Sequence, residues 1–224
     1  MAGRTLGDRH ASLFDSMYRR RDIIGPMEFA EVLARRRMVR NYANQPVDRE
    51  ALERIASAAL RAPSAGNSQG IAVVLVTDPE RRGEIARLAG EESYVAQGFD
   101  PWISRAPAHL VLAVSEKIYR DRYSEPDKLG PDGKPIEWPV PYWWVDAGAA
   151  MMAVLLAAVD QGLAAGFLGV HSVPDLGRLV GLPDHYSPIG VVTVGHPAPD
   201  RRSSSLDRPK RSPHEVIRWE TWES

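Results

Sequence analysis

The stretch 146–170, DAGAAMMAVLLAAVDQGLAAGFLGV, decides the fold. Residues 147–158 carry no charge and are bracketed by Asp146 and Asp160. That run is shorter than the roughly 20 residues needed to cross a bilayer, so it predicts a buried helix over about 145–162. AGFLGV (165–170) then reads as a strand. Three more short apolar runs join it: the continuous, β-branched IAVVLVT (71–77), expected to be covered on both faces, HLVLAVS (109–115) and IGVVTVGHP (189–197). Between them lie helical segments. DPERRGEIARLAG (78–90) offers Asp78 as a cap with Pro79 at the first helical position, and PDLGRLVG (174–181) reads as a short helix. Upstream, Asp48 caps a stripe of Leu52, Ile55, Ala56, Ala59 and Leu60 that must end before Pro63. After Gly25 and Pro26, the spacing of Phe29, Val32 and Leu33 predicts another helix, with arginines in its last turn.

With 224 residues, 44% hydrophobic content, no internal repeat and no linker, one α+β domain over 25–224 is expected, preceded by an extension at 1–24. The formal net charge of −1 gives no field to draw the chain onto nucleic acid or an anionic membrane. The absence of cysteine excludes disulfides, thiolate metal sites and a cysteine nucleophile. The opening MAGRTLGDRH has charges where a signal peptide needs apolar residues, so the expected location is the cytoplasm.

Familiar motifs fail on context. GNSQG (66–70) matches the G-x-S-x-G nucleophile elbow, but a helix precedes it and a strand follows, the reverse of the order that exposes a serine, so Ser68 is rejected. GPDGKP lacks the spacing of a phosphate-binding loop, and no G-x-G-x-x-G follows a strand. His171, His185, His196 and His214 lack metal-ligand spacing, and no metal is expected.

What remains is basic and polar. ARRRMVRNY (34–42) collects four arginines, and the tail adds Arg208, Lys210 and Arg211. Between them in sequence, PSAGNSQG (63–70) offers Ser64, Asn67 and Gln69 beside glycines. Such sets are ordinarily a helix end, a turn and a solvated tail. Together they suit a phosphorylated, heteroaromatic cofactor, because guanidinium forks match phosphate and amides match ring heteroatoms. Residues 116–144 form a long polar excursion with five prolines that closes on Trp138, Tyr142, Trp143 and Trp144, as a binding loop or lid does.

The order RRRMVRNYANQPV, APSAGNSQG, PVPYWWVDAGAAMMAVLLAAVDQGLAAGFLGV, LVGLPDHYSPIGVVTVGHP and RPKRSPHEVIRWETW resembles the FMN-dependent nitroreductase family over roughly 27–222. The resemblance implies a mainly antiparallel sheet flanked by helices and an intertwined homodimer. The apolar helix would lie in the dimer core, and the tail, 200–224, would wrap the partner. It implies FMN at the interface and NAD(P)H as co-substrate, with hydride passed on to a small aromatic acceptor of nitroaromatic or quinone type. Specialised relatives dehalogenate, fragment flavin or oxidise rings, and a non-catalytic FMN store is the reading from another class.

Carried over, Arg36, Arg37 and Arg40 match phosphate and ring contacts, and Lys210 with Arg211 the closing basic pair. Met38 stands where many relatives have serine, leaving its backbone amide to serve. Pro63, Ser64, Asn67 and Gln69 match positions that approach the flavin from the partner's side. Leu168 and Gly169 match the segment facing its N5 edge. Trp138 and Tyr142 are lid candidates, with Trp138 expected to govern acceptor preference; Trp143 and Trp144 are expected in the dimer core. No side-chain acid or base is evident.

Overall fold

The computed structural model describes residues 27–222; the 1–24 extension lies outside them. Its centre is one sheet of four strands: β1 (Ile71–Val76), β2 (Ala108–Val114), β3 (Ala164–Gly169) and β4 (Ser187–Gly195), in the spatial order β1-β2-β4-β3, every pairing antiparallel. All four sit where the apolar runs placed them. β2 is buried at every residue, as a central strand must be. β1, expected to be fully covered, is instead the edge strand. Its Ile71 and Val73 pack on one core and Val74 and Val76 on the other, but Leu75 is 37% exposed because only one neighbour flanks it.

Alternating strand residues divide two cores. On one face Leu110, Leu112, Val192 and Val194 meet α2 (Arg49–Ser57), by Leu52 and Ile55, and the long apolar helix, by Ala150, Val154 and Ala158. On the other face Val111 and Val191 meet α3 (Pro79–Leu88), α5 (Trp102–Arg105) and α8 (Leu176–Leu179) by Ile85, Ile103 and Leu176. Burying each such side chain is worth about 1.5–3 kcal/mol. The chain also forms α1 (Phe29–Arg35), α4 (Glu91–Ala96), α6 (Glu116–Arg122), α7 (Tyr142–Asp160) and α9 (Pro213–Val216).

The caps follow the sequence in part. Asp78 accepts the Arg81 amide at 2.8 Å, whereas Asp48 precedes α2 without a side-chain capping bond. Only Arg35 falls in the last turn of α1; Arg36 is its C-cap, and the chain turns extended there. The 116–144 excursion is less irregular than its composition suggests, since Ser115 caps α6 within it.

The apolar helix α7 has 19 residues, long and apolar enough to cross a membrane by length and composition, and it starts three residues earlier and ends two residues earlier than the expected span of about 145–162. In this fold its covered face is core: Ala150, Val154 and Ala158 have no exposure. The opposite face is apolar and, among the described residues, uncovered, with Val145 53% and Met152 43% exposed.

Candidate functional site

The arginine segment is held along the outer edge of β3. After the Arg36 amide closes the last turn of α1 on the Val32 carbonyl (2.9 Å), the chain extends, bridges Met38 to Ala165, and donates the Val39 amide to the Ala165 carbonyl at 3.0 Å. Successive amides of an extended chain alternate in direction, so the Met38 amide points away from β3. Gly166 permits the approach, because a Cβ there would stand 2.6 Å from the Val39 oxygen. Tyr42 anchors the far end: its buried hydroxyl bonds the Thr193 hydroxyl at 2.7 Å and donates to the Val39 carbonyl at 3.0 Å, and burial pushes its pKa up. The Arg40 amide donates to Asp200 (2.7 Å) while its guanidinium lies over Trp102 (5.9 Å). Arg35 pairs with Glu31. Among the described residues, Arg36 and Arg37 have no carboxylate partner.

The 63–70 loop is built from its own short bonds. Ser64 Oγ accepts the Gln69 amide (2.8 Å), and Ser68 Oγ donates to the Ala65 carbonyl (2.6 Å). Ser68 is therefore turned inward, as the rejection of a nucleophile elbow requires. Gly66, Asn67 and Gln69 all have left-handed φ, at 62°, 56° and 57°. Asn67 and Gln69 are exposed, as is Pro63, and among the described residues neither amide side chain has a hydrogen-bond partner.

The sheet fixes where these parts stand. β1 begins at the same end of the sheet at which β3 finishes, because Ile71 pairs with Val114, Val114 with Ser187, and Gly169 with Gly190. The loop before β1 and the Leu168–Gly169 segment thus share an end but occupy opposite edges, roughly 14 Å apart by strand spacing. Met38 lies at the other end of β3, roughly 13 Å further along the strand axis. One chain does not bring the arginines and the loop together.

The tail is exposed throughout its length from 204 to 222. Arg211 donates to the Glu215 carbonyl, and Ser212 and Glu215 form a capping box at the start of α9. Val216, Ile217, Trp219 and Trp222 are 58–78% exposed in the single chain. Lys210 is exposed with them.

Trp138 is not a free flap. Its ring meets Tyr123 at 4.4 Å, Trp143 at 5.7 Å, Tyr142 at 5.8 Å and Tyr119 at 6.5 Å. Trp143 is buried within its own chain, where it had been expected at a dimer core; Tyr142 and Trp144 are the exposed members.

Sequence reasoning passed over three groups. Asp146, read only as a bracket of the apolar run, is buried and accepts the Ala65 amide (2.8 Å) and the Tyr119 hydroxyl (2.9 Å). Burial above all, with Asp146 adding to it, pushes the Tyr119 pKa up to about 12. His171 leans over Gly169, its ring 2.8 Å from where a Cβ would be. The tandem of Tyr119 and Tyr123, four residues apart on a helical register, was the signal available for the second of these.

The sequence profile of the Nitroreductase family matches residues 33–196. The chain belongs to the nitroreductase family. It is 31% identical over 206 residues to an FMN reductase [NAD(P)H] of Bacillus subtilis, covering 85% of this chain and 72% of that protein. It is 25% identical over 206 residues to an iodotyrosine deiodinase of Haliscomenobacter hydrossis, covering 85% and 88%. The solved structure of the hypothetical oxidoreductase YcnD from Bacillus subtilis superposes with a TM-score of 0.66 at 29% identity, over 87% of this nitroreductase-family chain and 75% of the other.

Proposed function

We propose that this protein is an FMN-dependent oxidoreductase that takes hydride from NAD(P)H and delivers it to a small aromatic acceptor, working as a homodimer with two shared sites. The reading is carried by the separation of the two half-sites. Among the described residues Arg36 and Arg37 hold guanidinium groups without a carboxylate partner on the β3 edge, while Asn67 and Gln69 hold unpaired amides at the β1 edge, roughly 20 Å away. Two copies related by a two-fold axis across the uncovered face of α7 would supply both halves to each of two ligands.

The residues fit the cofactor. Arg36, Arg37 and Arg40, closed by Lys210 and Arg211 from the tail, would hold the phosphate, and guanidinium forks match it in geometry and charge. The outward amide of Met38 would take the bond that a serine hydroxyl makes elsewhere. Pro63, Ser64, Asn67 and Gln69 would flank the ring and its chain from the partner subunit. At Gly169 the absence of a side chain allows the backbone amide to approach the ring. FMN, when bound, supplies the two-electron chemistry. The protein's part is to bind and orient it and to stack flat substrates beside Tyr142, the exposed ring of the aromatic cluster.

The test is the visible spectrum of the purified protein, followed by anaerobic addition of NADPH. A flavin band that bleaches supports the reading. A colourless protein that also fails to take up added FMN would overturn it, and a band that never bleaches would favour a flavin store. Likeness to a deiodinase over most of both chains favours reductive dehalogenation as the second acceptor chemistry, tested by iodide release from iodotyrosine.

A further inference from the structure

The 63–70 loop holds a backbone that ought not to hold itself. Asn67 and Gln69 both sit at φ near +57°, a conformation that costs a non-glycine residue of order 1 kcal/mol and persists only where the surroundings fix it. The fixing groups come from two helices outside the loop.

From α7, Asp146 accepts the Ala65 amide at 2.8 Å. From α6, Tyr119 donates its hydroxyl to the same carboxylate oxygen at 2.9 Å. The Ala65 amide, Asp146 and Tyr119 therefore form one short network across the loop and two helices, and bonds in such a network strengthen each other. Within the loop, Ser64 Oγ accepts the Gln69 amide at 2.8 Å.

One turn along α6, Arg122 donates Nε to the Gly66 carbonyl at 3.0 Å and grips Asp127 with both terminal nitrogens at 2.7 Å. That fork holds the Asp127 carboxyl down at about 2. The two tyrosine rings of α6 close on the loop's glycines. A Cβ at Gly70 would stand 2.5 Å from the Tyr119 ring, and one at Gly66 would stand 2.6 Å from the Tyr123 ring. The Ala65 and Gln69 amides and the Gly66 carbonyl are thus bonded from within the protein, while among the described residues the Asn67 and Gln69 side chains have no partner.

We infer that Tyr119, Arg122 and Asp146 are positioning residues that preorganise the 63–70 loop for the flavin, so that α6, the first part of the expected lid, is a fixed clamp on the cofactor loop. This rests on the FMN reading of the same site. In a loop ordered in advance, binding does not bear the cost of fixing Asn67 and Gln69, which strengthens affinity without adding a contact.

The test pairs amide hydrogen exchange on the cofactor-free protein with FMN titration, for Tyr119→Phe, Asp146→Ala, Asp146→Asn and Arg122→Gln. Exchange at Ala65 and Gln69 is expected to rise tenfold or more in Tyr119→Phe and Asp146→Ala, with Kd for FMN weakened at least tenfold and the flavin band displaced. Asp146→Asn, which keeps an acceptor for the Ala65 amide, should recover much of both, and Arg122→Gln should raise exchange about the Gly66 turn. Loop exchange and Kd unchanged from wild type would overturn the proposal. So would a lowered melting temperature with FMN affinity intact, which marks a purely structural role. A wild-type protein that takes up no FMN overturns the reading beneath the proposal, and the exchange data, which need no cofactor, then decide the clamp by themselves.

Discussion

Gly166 and Val39 stand so close that a methyl group on Gly166 would lie 2.6 Å from the Val39 carbonyl oxygen, with Thr193 Oγ1 at 3.0 Å and the Trp102 ring at 3.1 Å. The arginine segment therefore reaches β3 only because residue 166 has no side chain. Gly166→Ala should cost about 1–3 kcal/mol by overpacking and displace the segment that carries Arg36 and Arg37. Thermal melting and flavin stoichiometry should both fall; a variant that melts lower yet retains full flavin would separate the segment from the cofactor.

On the FMN reading, Arg36 and Arg37 act chiefly on the phosphate. Replacing both with glutamine should weaken FMN by about 100-fold or more, since hydrogen bonds to charged groups contribute about 1.5–3 kcal/mol each. Riboflavin, lacking the phosphate, should be little affected. Fluorescence titration with both ligands checks this, and equal losses would assign the arginines to another role.

His109 makes stability fall on the acid side. It is fully buried in β2, with Nε2 2.8 Å from the Ile103 carbonyl oxygen and Nδ1 without a partner. Burial pulls its pKa from 6.5 down to about 4. Because the folded value lies below the unfolded one, the unfolded chain binds the extra proton between them. Stability is whole above pH 6.5 and is lost as pH falls towards 4, by roughly 3 kcal/mol at 1.36 kcal/mol per pH unit. Urea unfolding at pH 7.5, 6, 5 and 4 should show that slope in wild type and a shallower one in His109→Gln.

Trp138 and Tyr142 should part company on substitution. Trp138 is in edge contact with four other rings, so Trp138→Ala should cost roughly 2–3 kcal/mol as well as alter the acceptor profile, where a lid residue alone would change only the profile. Tyr142→Ala, at an exposed ring, should raise KM for aromatic acceptors and leave the melting temperature near wild type. Melting curves and acceptor kinetics on the two variants decide between them.

The tail's apolar residues predict where the chain associates. Truncation after residue 212 removes Ile217, Trp219 and Trp222, which are exposed in the single chain, and keeps Lys210 and Arg211. Sedimentation should show dimer giving way to monomer at micromolar concentration; an undisturbed dimer would assign the association to the α7 face alone.

Most of the fold was legible because each strand is a short run of apolar residues and each main helix has its own period and stop signal. Pro79 and Asp78 mark α3 as plainly as Gly162 marks the end of α7. What escaped was lateral position. IAVVLVT reads as central, but nothing local to it says that only β2 lies beside it. Of the site, the unpaired arginines and loop amides were visible as types out of place. The partners that fix them were not, since Asp146 lies 81 residues from the amide it holds and Tyr119 lies in a segment whose prolines and charges speak of irregular chain. His171 escaped for a similar reason, as its contact with Gly169 is made by a turn that brings the ring back over the strand end.

The distance between the β3 edge and the β1 edge also sets how damage is inherited. On the shared-site reading, a dimer formed from one chain lacking Arg36 and Arg37 and one lacking Asp146 contains one site with both lesions and one with neither. Two inactive variants, mixed and reassembled, would then restore up to half of the sites in each hybrid, and a single bad copy could not silence both.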